Sequence, residues 1–186
     1  VHREPDFHSR GESTGTVGLV HLVTREATRA DAHYLDAGLE KFSEQSRYYR
    51  FFSAMPRLPE SLRQQLIDID GVRHGAVLAL DTDAASSDGD EGLPVGVARW
   101  ITNSEGEAHL SVAVIDDYQG KGVGTALMRA LAELARSRRL TCLHAEVLAD
   151  NVGMNALLHD FGAGVVPDDD ASIVSYDWDL TAQPDR

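Results

Sequence analysis

The chain has 186 residues, 42% of them apolar, a formal charge of −13 and a single cysteine, Cys142. This length suits one domain with a sizeable core, and the acidic balance excludes a general nucleic-acid binder, which must neutralise phosphates. No apolar run reaches a membrane span and residues 1–10 do not read as a signal peptide, so the expectation is a cytoplasmic protein with no membrane partner and no internal disulfide.

In chain order, residues 1–15 are polar and aperiodic and read as a disordered tail. The domain is expected over 16–181, with a short C-terminal tail at 182–186. Residues 16–24 are rich in β-branched side chains and predict a first strand. Leu35, Leu39 and Phe42 recur at helical spacing, residues 46–52 predict a short aromatic helix, and 59–69 another with Leu62, Leu66 and Ile69 on one face. Residues 75–80 form a strand. Residues 81–92 are an acidic Ser/Gly/Asp stretch without EF-hand ligand spacing, read as a solvated hairpin loop. Strands follow at 94–101 and 109–115. After a glycine-rich turn, a helix carries Ala126, Leu127, Ala130, Leu131, Leu134 and Ala135 on one face. A strand at 141–148, a helix at 151–161 and a brief strand at 164–166 come next. The last strand, 172–180, sets Val174, Tyr176 and Trp178 against Ser175, Asp177 and Asp179. The order predicts an α/β or α+β domain around one mixed sheet.

The informative stretch is Gln119-Gly120-Lys121-Gly122-Val123-Gly124, between a strand and a helix. Glycines let a ligand approach the main chain, and a helix N-terminus adds partial positive charge and free N–H groups, an anion site suited to a phosphate or pyrophosphate. A Walker A loop would need its lysine after the last glycine. A Rossmann turn would need Gly-x-Gly-x-x-Gly directly after the strand, whereas four residues, Asp116 to Gln119, intervene here. Glu146, about 20 residues on, is the one feature that suits a dinucleotide.

Residues 116–124 resemble the Gln/Arg-x-x-Gly-x-Gly/Ala signature of the GCN5-related N-acetyltransferase (GNAT) family. Asn151-Val152-Gly153-Met154 through Phe161-Gly162 is similar to the family's Asn-led helix beside the CoA arm. Residues 43–52, Ser-Glu-Gln-Ser-Arg-Tyr-Tyr-Arg-Phe-Phe, resemble the subgroup containing bacterial protein-lysine acetyltransferases. The resemblance implies a single-domain GNAT fold with a mixed, mostly antiparallel sheet flanked by helices. It implies acetyl transfer from acetyl-CoA to a primary amine by direct attack in a ternary complex. A protein lysine is the first expectation for the acceptor, and a small amine the second. The rival is a catalytically silent acyl-CoA-binding module.

The resemblance also implies the site. Gln119, Gly120, Lys121, Gly122, Val123 and Gly124, with Thr125 close by, would hold the pyrophosphate; Asn151 would bond the CoA arm or cap its helix. Pantetheine would run beside Val112, Ala113 and Val114. From Asp116 back to His109 is roughly 23 Å of strand, which puts the thioester towards His109 and Ser111, with a strand N–H, that of Val114 or a neighbour, polarising its carbonyl. An ammonium acceptor must lose a proton. Lysine-acetylating relatives carry a glutamate where this chain has His109, so the base is His109, or has moved to Glu107 or Glu146, or has been lost. The family's helix tyrosine aligns with Leu158, which leaves the general acid unassigned, a role open to water. Cys142 in an apolar strand is expected to be structural. His144-x-Glu146 lacks the cysteine pair of a zinc deaminase, and no metal is expected.

Overall fold

The computed structural model describes residues 13–17, 20–84 and 91–182. Among the described residues eight strands form one sheet in the order β1-β2-β3-β4-β5-β6-β8-β7. They are β1 (Ser13–Val17), β2 (Val20–Glu26), β3 (His74–Asp81), β4 (Leu93–Thr102), β5 (Ala108–Val114), β6 (Cys142–Leu148), β7 (Gly164–Val166) and β8 (Ile173–Asp179). Every pairing is antiparallel except β5 with β6. The α-helices among the described residues are α1 (Ala32–Glu40), α2 (Glu44–Phe51), α3 (Glu60–Ile67), α4 (Val123–Ser137) and α5 (Val152–Asp160). The mixed, mostly antiparallel sheet flanked by helices is the expected architecture.

Two placements differ from expectation. Residues 13–15, assigned to the tail, belong to β1, which pairs with β2 through the whole of its length. An edge strand needs only backbone partners on one side, so a polar Ser-Thr-Gly-Thr sequence forms it without an apolar alternation to announce it. The expected first strand at 16–24 is therefore split, with 16–17 ending β1 and 20–24 lying in β2. Residues 85–90 of the acidic loop, residues 1–12 of the tail and residues 183–186 lie outside the described residues.

The core follows the periodicities. Helix α4 lays Val123, Leu127, Met128, Leu131 and Ala135 against the sheet, with Leu127, Met128, Leu131 and Ala135 fully buried. The clean alternation of β8 works out as read: Tyr176 and Trp178 are buried and Asp177 and Asp179 exposed. Phe161 meets Trp178 edge-on at 5.3 Å between ring centroids. On the other face, Tyr34, Leu35 and Ile69 pack with Ala76, Leu78 and Leu80. Among the described residues no helix is long and apolar enough to cross a membrane.

One contact tests the β3–β4 register. Gly75 stands opposite Trp100, and a Cβ at Gly75 would sit 2.0–2.5 Å from three atoms of the fully buried indole. Gly75→Ala must displace Trp100 and is expected to cost roughly 3 kcal/mol. Gly38→Ala, in α1, adds a Cβ that meets nothing within 4 Å and is expected to be neutral or stabilising. Urea midpoints of the two variants check this; equal midpoints would refute the packing.

His74 supplies a second. It is 5% exposed, and burial, helped by the Arg99 charge, pushes it down to about 4 from 6.5. The folded ring stays neutral while the unfolded one takes up its proton at the ordinary pKa. Stability from this group is therefore complete above about 6.5 and drains away as pH falls towards 4. The loss amounts to roughly 3 kcal/mol. His74→Gln should flatten the melting temperature against pH across that interval; an unchanged slope would remove His74 as the cause.

Candidate active site

The site is built where the sheet comes apart. Strands β5 and β6 are parallel, and one bridge, His109 with His144, joins them. Beyond it they diverge, leaving one edge of β5 without a ladder partner. Which groups face that edge follows from strand alternation. Ile115 N–H donates to Val95 O on β4, so Ala113 also faces β4, and Val112 and Val114 face the gap. The carbonyl of Val114, indeed, accepts from Gln119 Nε2 at 3.0 Å rather than from β4. Of the three strand residues expected beside pantetheine, Val112 and Val114 thus offer main-chain groups to the gap. Ala113 does not.

At the C-terminal end of β5 the chain makes a 3-10 turn, Asp116–Tyr118, and enters the glycine stretch. Gly120 and Gly122 have φ of 68° and 82°, left-handed values that favour glycine. Gly122 is the N-cap of α4 and supplies no side-chain cap; the first turn carries no acid. The N–H groups of Val123, Gly124 and Thr125 therefore point out of the helix start, unclaimed by any side chain among the described residues. Gly124 is needed for another reason: a Cβ there would come within 3.2 Å of Leu157 on α5.

A cleft of about 940 Å³ connects these parts. Gly120, Gly122, Gly124, Thr125, Gln119 and Asn151 line one end, Val112, Ala113 and Val114 the middle, and His109, Ser111 and Glu146 the other part. Lys121 and Val123 do not line it. Lys121 stands over the Tyr118 ring at 5.2 Å, and the Val123 side chain is buried in the core, so Val123 could serve a ligand only through the main chain. Asn151 caps α5 by accepting from Met154 N–H at 3.2 Å while lining the cleft.

Helix α2 forms the opposite wall and is fastened to the glycine turn. Asp116 accepts from Ser43 N–H, Ser43 Oγ and Ser46 Oγ at 3.0, 2.7 and 3.0 Å, and these donors hold its carboxyl below the usual range against the opposing effect of burial. Gln119 Nε2 donates to Ser46 Oγ as well. Tyr49 reaches across from α2 to within 3.4 Å of Asp150 O. Of the aromatic side chains in residues 46–52, Tyr49 and Phe52 line the cleft.

His109 lies at the β5–β6 joint. Asn103 Nδ2 donates to its Nε2 at 3.2 Å, and the amide orientation is fixed because Asn103 Oδ1 accepts the N–H groups of Glu105 and Glu107. Neutral His109 therefore keeps its lone pair on Nε2. Glu107 Oε2 is 3.7 Å from that nitrogen, placed to pair with an imidazolium. Glu107 does not line the cleft, so it could act only through His109; Glu146 lines it directly. Leu158, in the position of the expected tyrosine, is fully buried and offers no proton.

Sequence reasoning missed the neighbour of His109. The His144 ring lies 5.9 Å from the His109 ring, and its Nδ1 pairs with Asp177 at 2.6 Å. The β6–β8 register puts Asp177 opposite His144, and the alternation of β8 was the only available hint of it. Donor atoms of Cys142, His144 and Asp177 come within 4.8 Å of one another, a grouping that sequence spacing did not suggest. Burial and the charges of Asp177 and Asp179 push the Cys142 thiol up.

Comparison with known proteins agrees with this fold. The model of the Acetyltransferase (GNAT) family matches residues 40–163. An acetyltransferase of Pseudomonas aeruginosa is 29% identical over 157 residues, 83% of this chain and 82% of that protein. The acetyltransferase Pat of Mycolicibacterium smegmatis is 31% identical over 135 residues, 71% of this chain but only 38% of Pat. The crystal structure of the GNAT domain of S. lividans PAT superposes with a TM-score of 0.77 at 26% identity, covering 90% of this chain and 96% of that domain.

Proposed function

The chain belongs to the GNAT family and is an acetyl-CoA-dependent N-acetyltransferase, and on that premise we propose that its acceptor is a lysine side chain of a protein, acetylated by direct attack in a ternary complex. The observation that carries the mechanism is the parting of β5 from β6, with anion-binding N–H groups at one end and His109 at the other. The likeness of residues 43–52 to the protein-lysine subgroup supports the acceptor.

Acetyl-CoA is the co-substrate, supplying the acyl group as a thioester. Gln119, Gly120, Gly122, Gly124 and Thr125, with the main chain of Lys121 and Val123, hold its pyrophosphate. Val112 and Val114 receive pantetheine on the free strand edge, where a Val114 N–H polarises the thioester carbonyl. His109 takes the amine proton on Nε2, displacing the Asn103 hydrogen bond, and Glu107 stabilises the resulting imidazolium. The open cleft lets water protonate the departing thiolate.

Release of free CoA with a panel of lysine peptides, polyamines and aminoglycosides tests the acceptor. Peptide-dependent release is the expected result. Release with only the small amines would replace the protein lysine by a small acceptor.

A further inference from the structure

Under α2 a smaller cavity adjoins the cleft, sharing Phe42, Arg50 and Ala113 with it. It offers about 30 Å³ to the centre of a water-sized sphere, enough for a small polar head group. Its walls are mostly apolar, Leu35, Phe51, Leu78 and Val97 among them, yet two guanidinium groups, Arg50 and Arg99, enter it. Arg99 stands in the middle of β4 and is 4% exposed. Its Nη1 donates to Leu66 O at 2.6 Å and faces His74 Nε2 at 3.4 Å. Its Nε and Nη2 have no acceptor among the described residues. Arg50, in the last turn of α2, lies over the Phe51 ring at 5.0 Å and has no carboxylate partner among the described residues.

This is not how the chain treats its other buried arginine. Arg25, 3% exposed, is paired with Asp31 and Glu91. A protein with 30 acids and 17 basic residues has carboxylates to spare, but none of the described ones reaches Arg50 or Arg99. Two cations that act on each other in an apolar cavity are costly unless an anion joins them. Guanidinium forks match carboxylate geometry, and the small cavity favours a planar carboxylate over a tetrahedral phosphate. Its position is informative as well: Arg99 is the β4 partner of Ser111, which lines the reacting stretch of β5.

We propose that Arg50 and Arg99 form a carboxylate-binding subsite beside the acyl-transfer cleft, and that this enzyme takes, besides acetyl-CoA and a protein lysine, an acyl group or an acceptor that carries a carboxylate near its reacting atom. The proposal rests on the reading of the large cleft as the acyl-CoA site. A carboxylate on the acyl chain adds a second donor for the protein-lysine acceptor; one on the acceptor adds a free amino acid as a second acceptor.

Calorimetry on the full chain with two matched pairs of probes tests it. Succinyl-CoA and butyryl-CoA differ by a terminal carboxylate against a methyl group. Lysine and cadaverine, titrated into the CoA complex, differ by the α-carboxylate. One pair should show a roughly tenfold to hundredfold preference for the carboxylate, lost in Arg50→Gln and in Arg99→Lys. Preference in the first pair places the carboxylate on the acyl chain, and in the second on the acceptor. Equal affinities within both pairs, or a preference that survives in both variants, overturns the subsite. Failure to bind either thioester overturns the cleft reading instead. Circular dichroism checks the variants, and if Arg99→Lys does not fold, the partly exposed Arg50→Gln decides.

Discussion

Gly122→Asp is expected to abolish acetyl-CoA binding while leaving the fold in place, with the dissociation constant raised a hundredfold or more. The two halves of that statement have one cause. Gly122 is the N-cap of α4 at φ 82°, and aspartate is both a favoured N-cap and one of the few side chains that tolerates left-handed backbone. Its carboxylate can accept from the first-turn N–H groups of α4, offsetting the roughly 1 kcal/mol of backbone strain. Those same N–H groups are the proposed pyrophosphate donors. The variant would thus fill its own anion site and repel the ligand's charge. Gly122→Ala introduces the strain without the charge and should weaken binding much less. Calorimetric titration of both variants, with melting curves as the control, separates these effects. Affinity retained within a few-fold in Gly122→Asp would remove the glycine turn from phosphate binding.

That turn was legible in the sequence because everything it needs is local: a strand, glycines at fixed spacing and a helix with one apolar face. The helix periodicity of α4 and the alternation of β8 were legible for the same reason, since burial imposes a short period on the residues it selects. What sequence could not supply were relations between distant strands. His144 and Asp177 are 33 residues apart and meet only through the β6–β8 register. The parting of β5 from β6 is a property of how two strands fail to pair, and no residue type marks it. Arg99 reads as an ordinary polar position in β4; its burial without a carboxylate depends on α1, α2 and α3 closing over the sheet. β1 escaped notice for the opposite reason, because a polar edge strand leaves no apolar pattern to read.

His109→Ala carries the second large expected effect, a fall in kcat of roughly 10²–10⁴ with acetyl-CoA affinity nearly unchanged. The separation is geometric. His109 lies at the joint of β5 and β6, while the glycine turn lies beyond Val114 at the far end of the strand. Losing the imidazole should therefore cost proton transfer and not phosphate contacts. Glu107 does not line the cleft and approaches His109 Nε2 at 3.7 Å, so Glu107→Gln should reduce kcat less, and should have no further effect once His109 is alanine. Such non-additivity is the signature of two groups acting as one unit. Added imidazole should partly restore turnover in His109→Ala, because the cleft is open and the missing group is a soluble base. Glu146, the other titratable group on that part of the cleft, makes the decisive comparison: Glu146→Gln should leave most of kcat intact. If instead Glu146→Gln takes the large loss and His109→Ala does not, the base is the β6 carboxylate, and His109 is a structural residue held by Asn103.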